Sequence, residues 1–347
     1  MRITVLSADR PAAGRPAGGP SGAGPSGAGR ASVECDRGET VLSALTRQGI
    51  GLPSACQAGV CRACLLRVLQ GDPGPAGVAG LEDSLRSDGY VLACQARPAA
   101  DLTVALAGGD IYTTARLLSV RRDGPARRVR VWPDQPLAFR PGQHVALRFP
   151  AAGGEGTDLV RVYSFANRPA EADRDGLEFY VRAYPGGAMS EWLAGARPRD
   201  QLSLGRPSGT CCYQPGEPDA PLLLAGTGTG AAPLAAVARE ALAAGHRGPI
   251  VLLRGAAEPG GVYPDEYLPP APVRTRTCVL TRGGDIVAAA EAEYARLTTA
   301  AGARAAHVYL CGGPGVVARM RRAIFLAGQP LPRIHCDTFS PAITGDP

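Results

Sequence analysis

Residues 56–64 read CQAGVCRAC, and a fourth cysteine follows in the motif LACQA, residues 92–96. The spacing C-x4-C-x2-C with one distant thiol is typical of a loop that wraps around a [2Fe-2S] cluster. The residues between the first two cysteines include small and apolar ones, so backbone N–H groups can approach the sulfides of such a cluster. The sequence therefore predicts an iron–sulfur centre with the ligands Cys56, Cys61, Cys64 and Cys94.

A structural zinc site is the alternative for these four thiols. Zinc sites usually pair two short C-x2-C knuckles, however, and here there is one. The chain has ten cysteines, which in a cytosolic protein favours metal binding or buried thiols over a disulfide framework. The remaining six stand among apolar neighbours and are predicted to be small core residues: Cys35, Cys211, Cys212, Cys278, Cys311 and Cys336.

Length and composition narrow the class of protein. A chain of 347 residues with 45% hydrophobic and 20% charged residues is globular and long enough for two or three domains. All 37 basic residues are arginine, which excludes chemistry that needs a Schiff-base or P-loop lysine. There is no basic stripe with interleaved aromatics, which argues against nucleic-acid binding. No segment approaches the length of a membrane span, and MRITVLSAD at the start lacks the apolar core of a secretory signal, so we expect a cytoplasmic protein.

Around the cysteine loop, LPSACQAGVCRACLLRV (52–68) and YVLACQARP (90–98) together resemble a plant-type ferredoxin domain. The resemblance covers about residues 1–108 and implies the α+β fold called β-grasp. Arg62 departs from the pattern, since many members carry Gly or Ser there. A Gly/Pro/Ala/Ser segment at 10–31 interrupts the domain, and its composition predicts a flexible loop between two strands.

Strand-like segments with Pro/Gly turns between them follow this domain. Their spacing of about a dozen residues predicts a small antiparallel β-barrel over residues 112–214. His144 lies on one of them and is interpreted as a structural barrel residue, because a lone His on a strand is usually structural. The predicted strands are residues 115–120, 127–132, 144–149, 160–166 and 177–183.

The sequence RVYSFAN at 161–167 stands out within the barrel. A flavin needs an aromatic face, a hydroxyl near N5 and a cation for its pyrophosphate, and strand alternation places Arg161 and Tyr163 on one side. Taken alone, the segment is better interpreted as an ordinary strand that carries a Tyr and an Arg. Its neighbours favour a flavin site: PGQHV precedes it, and in YPGGAMSEWL a glycine-rich turn opens a short helix whose N–H groups and Ser190 can face phosphate.

These three elements, in this order, resemble the ferredoxin-NADP-reductase superfamily. The resemblance implies that Arg161 contacts the pyrophosphate, Tyr163 stacks on the isoalloxazine and Ser164 approaches N5 as a catalytic group. It also implies FAD-binding roles for Asn167, Gly187, Ala188, Met189 and Ser190.

From residue 221 apolar strands alternate with helices, which predicts an α/β Rossmann-like domain over 219–347. The strand in LLLAGTGTGAAPL runs into Gly226-x-Gly228-x-x-Ala231, where glycines permit a tight turn close to a dinucleotide. A later strand, HVYLCGG, ends in Cys311 and Gly312 at the carboxyl edge, where open α/β sheets bind ligands. For Cys311 alone, a buried thiol at a strand end is the alternative.

Both motifs resemble the NAD(P) lobe of the same superfamily. The resemblance implies that Cys311 and the aromatic Phe339 lie close to the reacting rings as catalytic residues. Glu258, an acid on the loop after the second strand, can bond the adenosine ribose and repel a 2′-phosphate, which predicts NADH. Arg254, within that strand, is the opposing signal, because a guanidinium there can bind the 2′-phosphate. The predicted nucleotide-binding residues are Gly226, Gly228, Thr229, Gly230, Glu258, Cys311, Gly312, Gly313 and Pro314.

The order ferredoxin, flavin barrel and nicotinamide lobe resembles the reductase components of bacterial ring-hydroxylating dioxygenases and multicomponent monooxygenases. The resemblance implies that electrons pass from NADH through FAD to the [2Fe-2S] cluster, and then to an oxygenase component or a Rieske-type ferredoxin. Two alternatives remain open from the residues alone. The first is a reductase of a deoxysugar-forming dehydratase system, which has the same modules. The second is a zinc-stabilised nucleotide-binding scaffold without redox activity.

Overall fold

The structure is a computed structural model that describes residues 1–6, 30–54, 56–106, 111–150, 158–261, 268–280, 283–300 and 306–339. The described residues form two compact units. The first holds those from Met1 to Thr113 together with those of 150–160, and the second holds Thr114–Phe149 and the chain from Arg161 onward. A search of these described ranges finds no helix that is both long and apolar enough for a membrane crossing.

The first unit contains a five-stranded mixed sheet. Its elements are β1 (Arg2–Leu6), β2 (Arg30–Glu34), α1 (Val41–Arg47), β3 (Leu65–Gln70), α2 (Asp83–Ser87), β4 (Tyr90–Leu92) and β5 (Leu102–Leu106). The strand order is β2-β1-β5-β3-β4, with β1 and β5 parallel and the other pairs antiparallel. Helix α1 begins after Thr40, whose hydroxyl accepts the Ser43 N–H, and it buries the apolar face formed by Val41, Leu42, Ala44 and Leu45. This is the α+β architecture that the sequence predicted.

The sheet brings the two cysteine segments together. Cys64 ends the loop directly before β3, and Cys94 lies two residues after the end of β4, the strand that pairs with β3. The Ala93 N–H donates to the Cys64 carbonyl at 3.0 Å, which holds the two segments side by side. The predicted loop at 10–31 lies mostly outside the described residues, and its last two residues were assigned wrongly, because Arg30 and Ala31 belong to β2.

The second unit begins with the antiparallel barrel. Its elements are β6 (Thr113–Asp123), β7 (Ala126–Pro133), β8 (His144–Phe149), β9 (Leu159–Ser164), α3 (Pro169–Asp175), β10 (Leu177–Arg182), α4 (Ala188–Gly195) and β11 (Gln201–Leu204). The strand order is β10-β7-β6-β11-β8-β9, and a bridge between Phe165 and Phe179 joins the two outer strands. All five predicted strands are present. The sequence analysis missed β11, a four-residue strand with two apolar positions.

The second unit continues with a parallel sheet covered by helices. Its elements are β12 (Leu222–Thr227), α5 (Ala231–Ala243), β13 (Ile250–Ala256), β14 (Arg274–Val279), α6 (Ile286–Ala300), β15 (His307–Gly312), α7 (Pro314–Leu326) and β16 (Ile334–Thr338). The order β14-β13-β12-β15-β16 shows that the chain builds outward on one side of β12 and then returns to the other side. The carboxyl ends of β12 and β15 therefore flank the switch point at which such sheets bind ligands.

Two histidines near the start of β15 and on β16 make the stability of this sheet sensitive to acid. Burial lowers the pKa of His335 from 6.5 to about 4 and also lowers the pKa of His307, whose Nδ1 lies 3.4 Å from His335 Nε2. Between pH 6.5 and about 4 the unfolded chain binds protons that the folded chain does not, so the free energy of unfolding should fall as the pH is lowered through this range. Urea denaturation at several pH values tests this. A pH slope unchanged in His335→Gln would contradict it.

Candidate functional site

The four predicted cluster ligands are arranged as two pairs. Cys61 N–H donates to Cys56 Sγ at 3.3 Å, and Cys56 N–H donates to Cys61 Sγ at 3.4 Å. A hydrogen bond between the thiols joins Cys64 to Cys94. A side-chain hydrogen bond from Cys61 lowers the pKa of Cys56, and one from Cys64 lowers the pKa of Cys94.

The cluster loop directs further donors at these sulfurs. Ala58 N–H points to Cys56 Sγ at 3.4 Å, and Gln95 Nε2 lies 3.5 Å from Cys94 Sγ and 3.0 Å from the Gln57 carbonyl. Hydrogen bonds of this kind stabilise thiolates that hold iron. Within the ranges that the structure describes, no group of three or more His, Cys, Asp or Glu side chains is placed to hold a metal ion. Four thiols in two pairs match the four-cysteine ligand set of a [2Fe-2S] cluster.

Ser164, at the end of β9, is linked to the nucleotide lobe. Its Oγ donates to Asp337 Oδ2 at 2.7 Å, and Asp337 Oδ1 lies 3.3 Å from His144 Nδ1. All three side chains are buried, and Asp337 pairs with Cys311 in the register of β16 and β15. The sequence analysis missed Asp337, although it stands two residues before Phe339 in HCDTF. His144 is a buried residue of β8, and its side chain also contacts Asp337, which the sequence did not indicate.

The other residues of the RVYSFAN segment differ in their surroundings. Tyr163 is half-buried, and burial raises its pKa, so the phenol stays neutral. Asn167 is buried with its amide bonded to backbone: Nδ2 donates to the Gly176 carbonyl at 2.8 Å and Oδ1 accepts the Glu178 N–H at 3.1 Å. Asn167 thus fixes the end of β9 against β10, a positioning role that its polar side chain alone did not reveal.

The glycine-rich turn before α4 lacks a capping side chain. Gly187 caps α4 without a side-chain hydrogen bond, so the N–H groups of the first turn, Ala188 to Ser190, have no partner within the helix. Ser190 Oγ accepts the Tyr184 N–H at 2.8 Å, and a Cβ on Gly187 would lie 3.2 Å from the Tyr184 carbonyl oxygen. Met189 is buried and anchors the helix. A helix N-terminus and the Arg161 guanidinium are donors that suit the pyrophosphate of FAD.

The glycine loop after β12 packs directly against the turn after β15. A Cβ on Gly230 would lie 2.7 Å from the Cys311 carbonyl oxygen, and one on Gly226 would lie 2.7 Å from the Gly230 carbonyl oxygen. Gly312 has φ of +137°, and a Cβ there would lie 2.1 Å from Thr227 Oγ1. The two motifs that the sequence analysis combined are therefore in contact, and glycine is required on both sides of that contact.

The remaining predicted nucleotide residues lie along the same edge. Gly228 and Thr229 form the 3-10 turn that leads into α5, and Gly313 and Pro314 open α7. Glu258 is exposed on the loop after β13. Arg254 is buried within β13, and its Nε donates to Thr277 Oγ1 of β14 at 2.7 Å.

The two predicted catalytic residues of this lobe, Phe339 and Cys311, are held in different ways. The Phe339 N–H donates to the Gly312 carbonyl at 2.8 Å, and its ring is partly exposed. Cys311 is fully buried with its Sγ 3.8 Å from Cys211 Sγ, and burial raises its pKa well above the usual range. The thiol therefore stays protonated, in surroundings that match the alternative of a buried thiol at a strand end.

Comparison with known proteins supports the modular interpretation. A family model for a 2Fe-2S iron-sulfur cluster binding domain matches residues 27–99, and one for an oxidoreductase FAD-binding domain matches residues 120–213. One relative is the ferredoxin–NAD(P)+ reductase component of naphthalene 1,2-dioxygenase/salicylate 5-hydroxylase systems from Ralstonia sp. It is 30% identical over an alignment 336 residues long, which covers 89% of this chain and 96% of that protein. The chain belongs to this family of reductase components.

Two further comparisons agree. The reductase subunit of an aromatic O-demethylase from Amycolatopsis sp. is 39% identical over 65% of this chain and 71% of that protein. The crystal structure of an Amycolatopsis cytochrome P450 reductase covers 90% of this chain and 97% of that chain, with 31% identity and a TM-score of 0.56. As a member of this family, the chain is an NAD(P)H-dependent oxidoreductase with FAD and a [2Fe-2S] cluster.

Proposed function

We propose that this reductase component oxidises NADH and delivers the electrons, through FAD and the cluster, to an aromatic oxygenase in the cytoplasm. The observation that carries the proposal is the hydrogen bond between Ser164 and Asp337. It joins the predicted flavin strand to the carboxyl edge of the nucleotide sheet, beside Cys311 and the glycine loop. A hydride donor bound at that edge would lie next to a flavin bound at β9.

FAD, when bound, accepts a hydride and gives up its electrons one at a time, which suits a cluster that accepts one. The chain supplies the positioning. Tyr163 offers a neutral aromatic face, while Arg161 and the N-terminus of α4 bind phosphate. The Ser164 hydroxyl donates a hydrogen bond to Asp337, so the lone pairs of its oxygen are available to accept a hydrogen bond from an N–H group. Asp337 holds this orientation because its second oxygen is fixed against His144.

Replacing Asp337 with Ala should slow flavin reduction by NADH by about 100-fold, because Ser164 and His144 both lose the group that orients them. FAD content should stay near the native value, since the predicted FAD-binding groups are untouched. Stopped-flow flavin reduction at saturating NADH measures the effect. Asp285→Ala is a matched control in the same lobe, since that carboxylate is exposed and accepts the Val287 N–H at the start of α6. Equal rates in the two variants would contradict the role of Asp337.

The choice of NADH rests on Glu258 and Arg254. Glu258 is exposed where an acid can meet the adenosine ribose, whereas Arg254 is buried and bonded to Thr277. Glu258→Gln should therefore lower the ratio of kcat/KM for NADH to that for NADPH by about tenfold, because repulsion of the 2′-phosphate is lost. Steady-state kinetics with both donors tests this. Native protein that uses NADPH as well as NADH would show that the assignment is wrong.

The acceptor is proposed from the relatives. Those with the highest identities quoted above serve an aromatic O-demethylase and a cytochrome P450, and the Ralstonia protein serves a dioxygenase system. Purified reductase, NADH and the oxygenase encoded nearest to its gene should couple NADH oxidation to formation of an oxygenated aromatic product. If NADH reduces the flavin and cluster but no oxygenase accepts the electrons, the acceptor is wrong while the reductase chemistry stands.

A further inference from the structure

Arg62 occupies an unusual place in the cluster loop. It lies between two predicted ligands, Cys61 and Cys64, and its φ of +56° is in the left-handed region that residues with side chains seldom adopt. Its side chain is only 13% exposed, and Nη1 lies 2.9 Å from Glu82 Oε1. Glu82 directly precedes α2, and its side chain is 53% exposed. A largely buried cation is thus held in the cluster loop, with its counter-ion on the solvent side.

The charge of this guanidinium should influence the redox equilibrium of the cluster. Reduction adds one negative charge to a centre whose predicted ligands, Cys61 and Cys64, flank Arg62 in the chain, and a nearby cation favours that reduced form. Because Arg62 is little exposed, water screens the interaction less than it would at the surface. The Glu82 carboxylate opposes the effect, but its greater exposure weakens its own influence on the cluster.

We propose that the Arg62–Glu82 pair sets the reduction potential of the [2Fe-2S] cluster, with Arg62 favouring the reduced form and Glu82 limiting that preference. The inference rests on the cluster being held by the four cysteines. The step concerned is the transfer of one electron to the cluster from the reduced flavin, with no bond made or broken in either side chain. Arg62 is not an iron ligand in this proposal; its positive charge acts electrostatically on the cluster.

The test is an anaerobic redox titration of the full holoprotein, with the EPR signal of the reduced cluster as the readout. At a fixed potential Arg62→Gln should lower the ratio of reduced to oxidised cluster by about tenfold, a shift of about 59 mV for a one-electron couple. Glu82→Gln should shift the ratio in the opposite direction, and the double variant should fall between the two. Arg62→Lys, which keeps the charge, should stay closer to the native protein than Arg62→Gln does.

Arg2→Gln is the control for a general change of charge. Arg2 lies on β1, which β5 and β3 separate from β4, and its side chain is 64% exposed, so the cluster potential should not move. Shifts of the same sign in both single variants, or no shift in Glu82→Gln, would overturn the proposal even if Arg62→Gln failed to fold. A native protein without an EPR signal from a reduced cluster would instead refute the cluster itself, which is a different failure.

Discussion

Cys94→Ser is expected to lower the rate of electron transfer to a protein acceptor by at least about 100-fold, while NADH oxidation with ferricyanide stays within about twofold of the native rate. A serine oxygen is a poorer iron ligand than a thiolate, and the substitution removes one member of the Cys64–Cys94 pair. The flavin and nucleotide segments use none of the cluster cysteines. A small acceptor can take electrons at the flavin, whereas the protein acceptor is proposed to depend on the cluster.

Cys35→Ser is the matched control for this variant. Cys35 is buried in the same unit, and its Sγ contacts the Asp36 and Glu39 carbonyls rather than a predicted cluster ligand. The control should keep the iron content, the EPR signal and both activities. Iron analysis and flavin content establish the state of each variant before assay. A Cys94→Ser protein that has lost its cluster but still reduces the protein acceptor at the native rate would refute the proposed route.

Gly230→Val is expected to lower kcat/KM for NADH by at least about 100-fold, because displacing reactive groups by about 1 Å costs that much in rate. A Cβ at this position would lie 2.7 Å from the Cys311 carbonyl oxygen and 2.8 Å from its carbon, which are backbone atoms that cannot rotate away. The glycine loop and the Cys311 turn must then separate. FAD and the cluster should remain bound, because their predicted sites lie in other elements.

Gly315→Val provides the same change in side chain at a position with room for it. Gly315 lies in the first turn of α7, and nothing lies within 4 Å of a Cβ built there. Visible spectra, thermal melts and steady-state kinetics compare the two variants. If Gly230→Val is folded and flavin-loaded and yet keeps the kcat/KM of Gly315→Val, the contact between the two motifs is not needed for NADH.

The features predicted well from sequence are those encoded by neighbouring residues. The cysteine loop, the glycine loop and the strand around Tyr163 are contiguous motifs, and the apolar strands of the parallel sheet differ clearly from their helices. The sequence analysis missed strands β14 and β16 because RTRTCV and IHCDT contain too many polar residues to stand out as buried strands. Both are edge strands, where burial is incomplete and the hydrophobic pattern is weak.

Long-range contacts limited the prediction of the site. Asp337 lies 173 residues from Ser164, and no local pattern in the sequence connects them. His144 was assigned to the barrel alone for the same reason, since its partner Asp337 comes from the last strand. The backbone bonds of Asn167 likewise depend on how β9 meets β10. Such contacts follow from the packing of whole elements rather than from the identity of the residues.

In the proposed route, electrons reach the cluster only through the flavin. Anaerobic rapid mixing of the native protein with NADH, followed by freeze-quenching, measures flavin absorbance and the cluster EPR signal in the same time course. We expect flavin absorbance to fall first and the cluster signal to rise afterwards. Protein stripped of FAD should show no cluster signal until FAD is restored. A cluster signal that precedes flavin reduction, or that appears at the native rate without FAD, would contradict it.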